Sequence, residues 1–94
     1  MDLLREWSGA LVTSDDIRTI LGSNEALAPV AQQIAEDDSL FDRGLDSFGS
    51  VQLMLALEER FGIEFPDEFL TRRSFSTIRA IRETVSAVLQ SVAA

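Results

Sequence analysis

The sequence contains no cysteine, no histidine, no tyrosine and no lysine, and each of its eight basic residues is an arginine. The lack of cysteine excludes disulfides, thiolate nucleophiles and thiolate metal sites. The lack of histidine removes the commonest general base and the usual transition-metal ligand, and no Ser–His triad can be assembled. These absences argue against independent catalysis. Long apolar runs are missing as well, since none approaches the roughly 20 residues of a membrane-spanning helix. The opening stretch from Met1 to Trp7 has neither a basic n-region nor a continuous apolar h-region, so no secretory signal is expected and the chain reads as cytoplasmic. Positive charge is scarce: sixteen acidic residues against eight arginines give a net charge of −8. That balance repels nucleic-acid phosphates and anionic membranes, so neither is expected as a partner, and it favours basic partner surfaces.

What is present suits one compact domain. Ninety-four residues with a 46% hydrophobic fraction can build a single core, with the modest stability margin of a small domain. We divide the chain into an N-terminal extension, residues 1–12, and a domain over residues 13–91. Leu3, Leu4, Trp7 and Leu11 recur at helical spacing, so residues 2–11 read either as a short amphipathic helix or as an arm laying Trp7 on the core. A firmer helix is expected over 14–23, with Ser14 as N-cap, Asp15 and Asp16 in its first turn, and Ile17, Ile20 and Leu21 as its apolar stripe. Pro29 is expected to mark the exit. Residues 28–46 read as one long connection anchored by Val30, Ile34, Leu40 and Phe41, with room for a helical turn within 30–36.

The strongest helical pattern runs from Ser47 to Phe61, capped by Asp46 or Ser47 and stopped by Gly62 at the C′ position. Ile63 to Pro66 is extended, Asp67 caps a short turn holding Phe69 and Leu70, and Arg72 and Arg73 close it. A last helix is expected from Thr77 to Leu89, capped by Ser76, with Ile78, Ile81, Val85, Val88 and Leu89 facing inward. No strand pattern competes, so the expected fold is an all-α bundle of three main helices plus one short helix.

The 47–61 helix carries two apolar stripes at 100° per residue. Leu53, Met54, Leu57 and Phe61 share one face, and Phe48, Val51 and Leu55 share another roughly opposite it. We assign the longer stripe to the core. Phe48, Val51 and Leu55, bordered by Gln52 and Glu59, are then a partly exposed docking patch beside Ser47. The alternative is that the last helix covers both stripes.

Gly44-Leu45-Asp46-Ser47-Phe48 resembles the G-x-D-S-[LIF] signature of acyl and peptidyl carrier proteins. The likeness extends to Ser39–Asp42 upstream, to Val51–Asp67, and to Phe75–Ile78, so that it covers about residues 14–90 in order and spacing. Arg43 stands where a leucine is common before the glycine, which implies different packing or a cation offered to a partner. Phe48 stands where leucine is commoner and enlarges the patch.

The resemblance implies that Ser47 takes a 4′-phosphopantetheine arm from coenzyme A. Gly44 and Asp46 belong to the same attachment signature. A phosphopantetheinyl transferase would activate the serine with Mg²⁺, and Asp46 would help that enzyme bind its metal or orient the hydroxyl; capping the helix is an equally compatible role. The arm supplies the thiol that a cysteine-free chain lacks. Further implied partners are an acyl- or amino-acid-activating ligase and downstream transferases, with the carrier itself a monomer. By the same resemblance Glu58, Glu59, Glu64, Asp67 and Glu68 face basic patches on those enzymes, although solvated surface charge explains most of them; their spacing matches no compact calcium loop, and no metal site is expected. The rival reading is an unmodified interaction domain that docks partners through the Phe48/Val51/Leu55 patch. The stretch from Phe48 to Asp67, with Arg72–Ser76 after it, looks more like free-standing aminoacyl carrier proteins, charged by ligases resembling truncated seryl-tRNA synthetases, than like fatty-acid carriers. Phe48, Met54, Leu57, Phe61 and Phe69 are expected to fill the core tightly, leaving little room for a long acyl chain.

Overall fold

The computed structural model describes residues 12–93, so the expectation for residues 2–11 lies outside the described residues. Every regular element of the described chain is helical, with α1 at Ser14–Leu21, α2 at Ser47–Phe61 and α3 at Ile78–Ala93. Three 3-10 segments lie between them, at Ala28–Gln33, Asp67–Phe69 and Arg73–Phe75.

The N-cap of α1 lies one residue earlier than expected. Thr13, not Ser14, is the N-cap: its hydroxyl accepts from the Asp16 amide at 3.1 Å, and the Asp16 carboxylate accepts from the Thr13 amide at 3.1 Å. This reciprocal pair satisfies two amides that a helix start otherwise leaves open. The Ser14 hydroxyl is thereby released to donate to Glu36 at 2.6 Å. Ile17, Ile20 and Leu21 are buried as the stripe predicts.

Pro29 does not simply end a helix. It occupies the first turn of the Ala28–Gln33 segment, where a missing amide costs no hydrogen bond and its fixed φ suits helical backbone. The anchors of this connection behave as expected: Ile34 and Leu40 are buried, and Val30 and Phe41 pack partly against the core.

α2 ends at Gly62, whose φ of 66° is the left-handed conformation that favours glycine, and the Gly62 amide closes on the Glu58 carbonyl. The single short helix expected after Pro66 is instead two 3-10 turns. Pro66, not Asp67, stands at the N-cap of the first, with no side-chain cap, and Leu70 at φ −86° and ψ 65° breaks the run. The Thr71 hydroxyl then accepts the Ser74 amide at 3.2 Å and starts the second turn, so Arg72 and Arg73 do not close the first. The edge-to-face contact of Phe65 and Phe75, with centroids 5.5 Å apart, ties this segment to the core.

α3 is capped by Thr77, whose hydroxyl accepts from the Ala80 amide at 2.9 Å; the Ser76 hydroxyl instead donates to the Arg73 carbonyl at 2.8 Å. The helix runs past Leu89 to Ala93, since no glycine or proline interrupts it. Ile78, Ile81, Val85 and Val88 are buried in the core, where α3 packs on α1 and on the Arg73–Phe75 turn, while Leu89 is half-buried.

Candidate functional site

The site is assembled where the 39–46 loop turns into α2. Leu40 and Leu45 are buried and fix the loop from below, and the Leu40 amide donates to the Ser76 carbonyl at 2.8 Å, joining it to the approach to α3. Gly44 makes the turn at φ 117°, a backbone region in which other residues are strained. Asp46 is the N-cap of α2, its carboxylate accepting from the Gly49 amide at 2.7 Å. Ser47 is thus the first residue of the helix and is exposed. Its hydroxyl has no hydrogen-bond partner among the described residues, in contrast to Ser50, whose hydroxyl donates to the Asp46 carbonyl at 2.9 Å.

Asn24 supports this junction from the other side. It lies just past the expected end of α1, yet it is buried and donates to the Gly49 carbonyl at 3.1 Å while its side-chain oxygen accepts from the amides of Ala26 and Leu27. A β-carbon on Gly49 would meet Leu45 at 3.0 Å and Asp46 at 3.2 Å, so the first turn of α2 sits close on its supports. A buried asparagine with several polar partners positions a backbone well, but its sequence signature is no different from that of a turn residue.

The two stripes of α2 separate as expected. Leu53 and Leu57 are buried, and Met54 and Phe61 are partly so. Phe48, Val51 and Leu55 are 71%, 52% and 54% exposed, and the alternative in which α3 covers both stripes does not hold. Phe48 therefore does not help fill the core. Gln52 and Glu59 are exposed beside the patch, and Leu70, expected in the turn after Pro66 but not in the patch, is a further exposed apolar residue. Glu58 departs from its acidic neighbours: its carboxylate accepts from the Phe65 amide at 2.9 Å and fastens the chain after α2.

Ser47 also borders an apolar groove of about 390 Å³ between α2 and the 70–75 segment, whose walls include Phe41, Val51, Met54, Leu70 and Phe75. Arg72 stands on its rim, with its guanidinium carbon 3.7 Å from the centre of the Phe41 ring. Arg43 is not offered outward as a free cation, since it pairs with Asp38 at 2.9 Å.

Three carboxylates tether the loop that leads to the site. The Ser14 hydroxyl, aided by Arg82, Arg79 and Arg18, holds Glu36 below the ordinary carboxylate range against the opposing effect of burial. The hydrogen bond from Arg79 lowers Asp37, and the Ala35 amide followed by Arg43 lowers Asp38. Each folded pKa lies below its unfolded value, so the unfolded chain takes up protons first as pH falls. The tethers stabilise fully above the ordinary carboxylate pKa of roughly 3.9–4.3, and that contribution is lost as pH drops through the lowered values. Thermal melts over this acid range should show a falling midpoint, with a shallower fall for Glu36→Gln. A midpoint independent of pH, or equally steep in the variant, would contradict this.

A helical bundle that holds a free serine hydroxyl at a helix start, between an exposed apolar patch and an apolar groove, has the architecture of a carrier domain. Its residues fit a phosphorylated arm: the hydroxyl is accessible, the helix start favours a negative group, and the groove offers apolar walls. A family profile described as a phosphopantetheine attachment site matches residues 15–88, and the chain belongs to that family. It is a carrier protein whose cofactor is 4′-phosphopantetheine, the arm on which such proteins hold acyl or aminoacyl groups as thioesters. Among its relatives, the aminoacyl carrier protein of Agrobacterium fabrum is 49% identical over 73 residues, which cover 78% of this chain and 88% of the relative. The D-alanyl carrier protein of Bacillus velezensis is 41% identical over 58 residues, covering 56% of this chain and 74% of the relative. A crystal structure of an engineered Bradyrhizobium japonicum glycine:[carrier protein] ligase, complexed with carrier protein from Agrobacterium tumefaciens and ATP, contains a chain 47% identical with a TM-score of 0.75, the match covering 80% of this chain and 97% of that one. Among the described residues no helix is long and apolar enough to cross a membrane.

Proposed function

We propose that Ser47 is the residue that takes the arm, that residues 13–91 form the carrier domain, and that its cargo is a small aminoacyl group loaded by an amino-acid-activating ligase. The observation that supports this best is the exposed Ser47 hydroxyl, unengaged among the described residues and first in a capped helix. In the loading step the Ser47 oxygen attacks the coenzyme A phosphorus that bears the pantetheine. A new P–O bond forms, the pyrophosphate bond breaks, and adenosine 3′,5′-bisphosphate leaves. The serine proton passes to a base of the transferase, because this chain has no histidine to receive it. The chain is then a substrate and not an enzyme. Once attached, the arm supplies a thiol of long reach and raises the local concentration of the carried group at each partner enzyme.

Phe48, Val51 and Leu55, with Leu70, form the apolar floor on which transferase and ligase dock, and Gln52 and Glu59 form its polar rim. Intact mass after incubation with coenzyme A and a broad-specificity transferase should rise by one arm, and no gain would refute the reading. The cargo is tested by loading the holo protein with glycyl and with octanoyl groups. Glycyl should shift amides near Ser47 alone, and neither cargo should perturb Leu57 or Ile81. Shifts at those core positions that grow with chain length would mark a carrier that sequesters fatty acyl groups.

A further inference from the structure

The groove beside Ser47 is unusual in its charge. In a chain of net charge −8, Arg72 is the one charged residue among those that line it. Most of the other arginines of the described chain are spent on carboxylates: Arg18 on Asp15, Arg43 on Asp38, Arg60 on Asp16, Arg79 on Asp37 and Arg82 on Glu36. Among the described residues Arg72 has no such partner. Its guanidinium rests instead on the face of Phe41, a stacked position that leaves the N–H groups at its edge free to donate. Leu70 and Val51, both exposed, continue the apolar wall from this cation towards Ser47.

A phosphodiester on Ser47 would carry one negative charge at any pH near neutrality and would be followed by the branched, apolar pantoyl carbons. A site complementary to such a group needs a cation near the serine and an apolar surface next to it. We propose that Arg72 is the counter-ion of the arm's phosphodiester, and that the pair lays the pantoyl part of the arm along the Val51–Met54–Leu70 wall of the groove. This rests on the reading of Ser47 as the attachment residue. Arg72 is in this role a positioning residue: it sets how much of the time the arm lies folded on its own carrier and how much it extends into a partner. An aminoacyl group bears a cationic amine that Arg72 repels, so the cargo end stays out of the groove while the phosphate end is held.

The test compares the apo and holo protein by NMR, with intact mass recorded first, so that failure of attachment at Ser47 is separated from failure of the groove. In the wild-type holo protein the Arg72 side-chain Nε–H signal should shift on attachment, and the pantoyl methyls should show cross-relaxation to Leu70 and Met54 methyls. Arg72→Gln should load normally, yet lose about two- to fivefold of that cross-relaxation, the range a solvent-exposed ion pair supports. The phosphorus chemical shift should move with it. Arg72→Lys, which keeps the charge, should restore part of the effect, and Arg73→Gln should leave it unchanged. A loaded wild-type protein with an unperturbed Arg72 signal and no contacts from the arm to the groove would overturn the proposal. So would an Arg73→Gln effect equal to that of Arg72→Gln.

Discussion

Ser47→Ala takes up no arm from coenzyme A, while its helical circular dichroism and thermal midpoint stay near those of the wild type. The first half follows from the loss of the sole nucleophilic atom at the start of α2 that is both exposed and unengaged among the described residues. The second half follows because the cap is Asp46 and not Ser47, and alanine is a good helix former in the first turn. The nearby hydroxyls are poor substitutes, since Ser50 donates to the Asp46 carbonyl and Ser74 is paired with Thr71 at 3.1 Å. Continued loading of the variant, detected as intact mass and mapped by peptide digestion, would refute the assignment. Asp46→Asn separates the two roles open to that carboxylate. An amide oxygen still caps, so stability should change little, whereas loading should slow if the carboxylate charge serves the transferase. Equal loading rates would leave Asp46 as a cap alone.

The second large effect divides α2 by face. Leu57 is fully buried, and Leu57→Ala should destabilise the fold by about 2–5 kcal/mol through lost transfer energy and the cavity left behind. Phe61→Ala should cost less than that, because its ring is only half-buried and lies under the Arg60 guanidinium at 5.4 Å. Val51→Ala and Leu55→Ala remove exposed atoms and should stay within about 0.5 kcal/mol of wild type, yet slow loading by the transferase. Denaturant midpoints and initial loading rates measured on the same four variants give the comparison. Similar destabilisation by both sets would make the outer stripe part of the core and remove the docking surface.

These contrasts were legible in advance because α2 is a long, regularly patterned helix with a glycine stop. Its two stripes, its Asp46 cap among the two candidates, and the exposure of Ser47 all follow from 3.6-residue periodicity and local cap chemistry. Periodicity reads poorly where hydroxyls adjoin. Thr13 and Ser14, or Ser76 and Thr77, can each cap a helix, and the choice fell on whichever left its neighbour free for a partner elsewhere. For Ser14 that partner is Glu36, 22 residues away, which no local pattern announces. The segment after Pro66 was harder still, because two short 3-10 turns bury little surface of their own and take their shape from Phe65, Phe75 and the packing of the second turn on α3.

By itself the sequence determined the helical class, the inner and outer faces of α2, the serine at its start, and the exclusion of thiol and imidazole chemistry. Each of these depends on residue type or on spacing within one element, which the chain carries wherever it goes. Only the tertiary structure decided that Asn24 braces the first turn of α2, that Arg43 is spent on Asp38, and that Arg72 stacks on Phe41 at the rim of a groove beside Ser47. Asn24 and Arg72 meet partners far away along the chain, and even Arg43 and Asp38, five residues apart, are brought together only by the course of the folded loop; a charge or an amide acquires its role from the partner that folding brings within a few ångströms of it.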